Sequence, residues 1–156
     1  MALTQDEAKP HLFLVTEGGS PPTKVTEAVV VGPIQVSPDG HLVATRDDSR
    51  KPVIISLDDG TARPVPDVEG EPIPSGWGPD GSLWLEMQAF KPRAELVRVD
   101  VRTGRVLQKT TLAPADLTGV TYTSRVVVAP DGKGFAYSYR RDLGSLFILK
   151  DLTRPQ

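Results

Sequence analysis

The tripeptide Pro-Asp-Gly occurs three times in this chain, at residues 38–40, 79–81 and 130–132, each time between two short apolar runs. Its glycines, at 40, 81 and 132, lie 41 and then 51 residues apart. Asp-Gly suits the centre of a tight hairpin turn because both positions tolerate positive φ. A proline before it has no N–H to give to a ladder, so it ends the strand that enters the turn. Each copy therefore predicts strand, turn, strand. The runs after the turns are Leu42-Val43-Ala44, Leu83-Trp84-Leu85 and Phe135-Ala136-Tyr137, all strand-forming in character. Leu42, Ala44, Leu83, Leu85, Phe135 and Tyr137 are expected at equivalent places in successive second strands, with alternate members buried.

A second turn follows each of the first two hairpins. Asp59-Gly60 ends "VIISLDDG", and Thr103-Gly104 ends "LVRVDVRTG". The alternation Leu96, Val97, Arg98, Val99, Asp100 is the period-two pattern of a half-buried strand. A fourth short strand is expected in "ARPVP" and in "VLQKTTL". The unit is thus four strands, and the longer second spacing is assigned to an insert, "APADLTGVTYT". Two partial units flank these: "HLFLVTEGGSPPTKVTE" reads as a third and fourth strand, and "LFILKDL" as a third strand. The strand count is two, four, four and three. No helix is expected, since prolines interrupt nearly every segment.

Composition agrees with many short strands. The chain has 156 residues, of which 14 are glycine and 15 proline, a share well above the usual ~12%. Hydrophobic residues at 38% and charged residues at 24% describe a globular chain. A net charge of −2 argues against nucleic acid as a partner. No run approaches the ~18 apolar residues of a membrane span, so no membrane insertion is expected. The opening "MALTQD" lacks the pattern of a signal peptide. Without cysteine there is neither disulfide nor thiolate chemistry.

Four-stranded repeats of ~40 to 50 residues mark β-propeller blades. "SPDG…LVA…VIISLDDGT" and "APDG…FAYSY…LFILKDL" resemble the TolB-like and WD-repeat-like propeller repeats of bacterial proteins. The ending "YSYRRDLGSLFILKDL" is also similar to the last blade of propellers attached to some bacterial serine/threonine protein kinases. The resemblance implies an all-β fold, a partial β-propeller of about three to four four-stranded antiparallel blades, not closed. Residues 1–31 would be a partial blade, 32–74 and 75–123 full blades, and 124–156 a partial last blade. The chain is expected to be the C-terminal part of a longer propeller or a truncated product. Its exposed strand edges are expected to favour self-association.

Catalytic patterns are missing. Gly18-Gly19-Ser20-Pro21-Pro22 lacks the last glycine of a nucleophile elbow, and no kinase motif is present. His11 and His41 have no partner histidine at metal spacing. Asp47-Asp48 and Asp58-Asp59 read as turn-forming acids, and Asp39, Asp80 and Asp131 as acceptors for local backbone. One or both of Trp77 and Trp84 are expected to pack between blades. No cofactor or metal is implied. One charge pattern points to binding: the loops between second and third strands carry Arg50 and Lys51, Lys91 and Arg93, and Arg140 and Arg141. On one propeller face these six would form a basic rim, unless Asp47, Asp48, Glu95 and Asp142 compensate them. The function expected is a non-catalytic binding or scaffold module for a protein partner. The alternatives are the sensor part of a bacterial serine/threonine kinase, or the propeller portion of a serine hydrolase whose catalytic domain lies elsewhere.

Overall fold

A computed structural model describes residues 9–15, 17, 18, 21–88 and 90–145. Among these there are twelve strands and no helix. Strands β1 (Phe13–Leu14) and β2 (Thr23–Lys24) form a two-stranded pair. A four-stranded sheet follows: β3 (Val31–Val36), β4 (Leu42–Arg46), β5 (Pro52–Ser56) and β6 (Ala62–Pro64). The next comprises β7 (Ile73–Trp77), β8 (Leu83–Glu86), β9 (Ala94–Val99) and β10 (Val106–Leu112). A last pair joins β11 (Val120–Val128) to β12 (Phe135–Arg141). All pairings are antiparallel and follow chain order, and no sheet closes on itself. The fold is therefore all-β, built from four-stranded antiparallel sheets. The strand expected in "LFILKDL" and the Gly19-Ser20 part of the first turn lie outside the described residues.

The first strands gather at one inner edge, where β7 lies against both β3 and β11. Trp77 ties two of them together: its indole N–H donates to the Gln35 carbonyl at 2.8 Å. Each of these inner strands also has an interruption in its register. Such bulges twist a strand and re-aim its side chains.

The core is layered between sheets, because each strand alternates its faces. Leu83, Leu85, Val97 and Val99 face the preceding sheet and pack with Ala44, Ile54 and Trp77. Trp84, Ala94 and Leu96, on the opposite face, meet Val126 and Val128 of β11. Trp84 is 1% exposed and meets the Phe135 ring edge to face, with centroids 5.1 Å apart. Both tryptophans thus lie between sheets.

The Pro-Asp-Gly turns differ from the expected geometry in two respects. Positive φ is confined to the glycine, at 78°, 75° and 70° for Gly40, Gly81 and Gly132, while the aspartate stays on the ordinary side. Proline and aspartate occupy the two central positions, and the glycine N–H closes the turn on the Ser37, Gly78 or Ala129 carbonyl. The aspartate carboxylate then accepts the N–H two residues on, from His41, Ser82 and Lys133. The turns also differ in length. Ser37 pairs with Leu42 and Ala129 with Gly134, but Gly78 pairs with Ser82, one residue sooner.

The second unit therefore reaches its first ladder pair one residue sooner after the glycine than the other two. Val36 pairs with Val43, Trp77 with Leu83 and Val128 with Phe135. The ladder equivalents of Leu83 and Phe135 are therefore Val43, not Leu42. Val43 faces backward onto Leu12 and Val30, while Leu42 and Ala44 face forward onto the next sheet. The expected set occupies equivalent strands, yet in the first unit it points the other way. A second correction concerns the insert: β11 begins at Val120, so "VTYT" is strand and only residues 113–119 connect it to β10.

The second turns dock successive sheets. A Cβ on Gly60, between β5 and β6, would lie 2.0 Å from the Val25 carbonyl oxygen just after β2. A Cβ on Gly104, between β9 and β10, would lie 2.0 Å from the Pro66 carbonyl oxygen beyond β6. Only hydrogen fits at either place.

Candidate functional site

The loops between second and third strands share a face with the connections between sheets. Lys51 donates to the Gly70 carbonyl at 2.8 Å, and Arg141 to the Asp116 carbonyl at 2.6 Å. Gly70 and Asp116 both belong to connections that lead into the next sheet. On this face a hollow of about 860 Å³ is lined by Arg46, Asp48, Arg50, Glu71, Phe90 and Lys91, among others. Its floor is apolar, with Val31, Ile73 and Met87.

The local chain explains how these side chains are presented. Asp47 and Lys51 close a short turn, in which the Asp47 carboxylate also accepts the Lys51 N–H at 2.9 Å. Arg50 occupies its left-handed position, at φ 61°, where glycine is usual. Phe90, in the β8–β9 loop, has φ 64° and is 69% exposed. Arg125, in the bulge of β11, has φ 55°. Among the described residues four non-glycine residues have positive φ, the other being Asp67. Three of the four line this hollow or the one beside it. Side chains held in a conformation that costs ~1–3 kcal/mol concentrate where a surface is shaped for contact.

The six rim cations do not form one uniform group. Arg50 and Lys91 line the same hollow, and Arg50 meets Glu71 at 3.4 Å. Lys51 is held by Gly70, and Arg93 stands exposed in the β8–β9 loop. Arg140 pairs with Asp142 at 3.0 Å, while Arg141 reaches the Asp116 carboxylate at 3.4 Å. Asp142 and Asp116 thus hold the last pair of cations, neither of which lines this hollow. Sequence reasoning did not find Glu71, Asp116 or Phe90. Glu71 and Asp116 stand in connections far along the chain from the cations that they meet, and Phe90 carries no pattern of its own.

The opposite face carries the Pro-Asp-Gly turns. Ser37 donates its hydroxyl to Asp39, and Ser82 donates its hydroxyl to Asp80. These bonds, with the backbone N–H groups beside them, hold both carboxyls below the usual aspartate range. His41 meets Asp58 at 3.1 Å, and the hydrogen bond and charge of Asp58 raise its pKa. His11 has a buried Nδ1 without a partner among the described residues. Among the described residues no three His, Asp or Glu side chains gather as a metal site would require.

No family model matches the chain, and no curated protein matches it in sequence. Solved structures do. TolB from Acinetobacter baumannii matches over 85% of this chain with a TM-score of 0.60 at 17% identity. BamB from Moraxella catarrhalis matches over 74% with a TM-score of 0.41 at 13% identity. The chain spans about a third of the TolB structure, 33% of its length. Chain-ordered four-stranded sheets, inner strands side by side and superposition on TolB agree: this chain has the TolB-like β-propeller fold, in the form of an open arc of blades.

Proposed function

We propose that the chain is a non-catalytic binding module that engages a protein partner through its loop face. The observation that carries this reading is Phe90, an exposed aromatic side chain held at positive φ in a hollow that Arg50 and Lys91 also line. Aromatic and arginine side chains are the residues most enriched in the centres of protein interfaces. Arg50 and Lys91 give the hollow its positive edge, and Arg46 lies within it. The partner segment is accordingly acidic with an apolar anchor. Lys51, Arg93, Arg140 and Arg141 would steer it from the rim. Asp48 and Glu71, in the same hollow, disfavour an extended polyanion such as nucleic acid. The sensor part of a kinase or the propeller portion of a hydrolase would use this face in the same way.

A fluorescently labelled peptide that alternates glutamate with leucine tests the reading by anisotropy. Binding should weaken by ~10-fold or more in Arg50→Glu/Lys91→Glu, and by a further few-fold in Phe90→Ala, as loss of ~1–2 kcal/mol contacts requires. It should also weaken between ~0.05 and ~0.5 M salt, because the pairs are exposed. Equal affinity in the charge-reversed variant would overturn the proposal.

A further inference from the structure

Beside the loop-face hollow lies a second one, of about 570 Å³, on the inner edge of the arc. Pro33, Gln35, Ile73 and Pro74 contribute from β3 and β7, and the bulged part of β11 closes the other side. The hollow is mainly apolar, yet Glu86, at the end of β8, lines it. Glu86 is 2% exposed, and its Oε1 has no hydrogen-bond partner among the described residues. Among the described residues it is in no salt bridge. Burial pushes its carboxyl above the ordinary glutamate range, against a weaker opposing pull from the Val126 backbone. A carboxylate in this position costs folding energy unless something meets it.

Two aromatic rings border the same space. Phe90 and Tyr122 are edge to face, with centroids 5.7 Å apart and planes at 73°. Aromatic rings and a buried carboxylate lining one hollow are the two features that recognise an organic cation. The volume is in the range of small-molecule sites, ~300–1,000 Å³. We propose that this hollow binds a small organic cation, an ammonium group on an apolar body, with Glu86 as its counter-ion and Phe90 and Tyr122 as its aromatic wall. Among the described residues Arg125 is the one cation lining the hollow; it is exposed, and would oppose the ligand's charge from outside. The site shares Phe90 with the loop face but reverses the charge preference, so each can fail without the other.

Phenethylamine and its neutral analogue phenethyl alcohol, titrated into the whole chain and followed by calorimetry, test the proposal. The amine should bind ~10-fold more tightly than the alcohol, the difference expected of one charge-assisted contact. Glu86→Gln should reduce amine binding to the level of the alcohol while leaving alcohol binding unchanged. Arg125→Glu should strengthen amine binding by a few-fold, and Tyr122→Leu should weaken it. Circular dichroism of each variant establishes that it is folded, and Arg125→Glu serves if Glu86→Gln is not. Amine binding that is absent, matched by the alcohol or unchanged in Glu86→Gln would overturn the assignment.

Discussion

Glu86 is the residue at which folding and binding oppose each other. In the unfolded chain its carboxyl titrates near 4.5, and in the folded chain burial moves it higher. The folded state thus keeps a proton that the unfolded state releases. This contribution to stability is complete below pH 4.5 and is lost as pH rises through the folded value. A neutral amide is less costly to bury than a charge. Glu86→Gln should therefore be at least as stable as the parent at neutral pH, with the advantage vanishing toward pH 4.5. Denaturant midpoints of both proteins across this range check it, and a variant less stable at neutral pH would contradict it. Asp39, Asp59, Asp80, Asp100 and Asp116 behave in the opposite sense, since hydrogen bonds lower their pKa values. Comparing parent with variant cancels them. Nothing near Glu86 in "LWLEM" announces this role. It reads as the polar end of a strand, and what meets its carboxyl is the backbone of Val126, in β11, forty residues on in the sequence.

At the scale of elements, the glycines divide into two kinds that look identical in sequence. Gly40 and Gly81 have positive φ, but a Cβ on either would meet nothing within 4 Å among the described residues. Gly60 and Gly104 have similar φ, at 72° and 71°, and a Cβ there would collide with backbone of the preceding sheet. Gly40→Ala and Gly81→Ala should cost only the ~1–2 kcal/mol of a left-handed alanine. Gly60→Ala and Gly104→Ala should cost clearly more, because the Val25 or Pro66 carbonyl must also move. Urea unfolding of the four variants checks the ranking, and equal costs would refute the docking role. The repeat of turns was legible because Pro, Asp and Gly act on their own backbone. Turn length was not, since Leu42 closes the first hairpin and Ser82 closes the second one residue sooner after the same tripeptide, and that residue decides the parity. Arg50, Lys51, Lys91 and Arg93 were legible as loop residues, whereas Arg140 and Arg141 belong to strand β12; the hollow was not legible, because its walls come from two sheets.

The whole molecule leaves apolar surface at both ends of the arc. Ile34 and Val36 of β3 are 50% and 56% exposed on the side of the β1–β2 pair, which has no inner strands among the described residues. Val127 of β11 is 53% exposed. Such faces and edges favour pairing with a second copy. Light scattering of the isolated chain should give a mass above that of one chain, rising with concentration. Ile34→Lys and Val127→Lys together should lower it; a concentration-independent monomer would exclude pairing. The carbonyl contacts at Gly60 and Gly104 lie toward the outer strands, so they set how far each sheet is splayed from the one before. Because equal wedges must divide a full circle, a missing side chain at the circumference sets the number of blades that a closed ring of this repeat would hold, and a bulkier residue there would widen the wedge and lower that number.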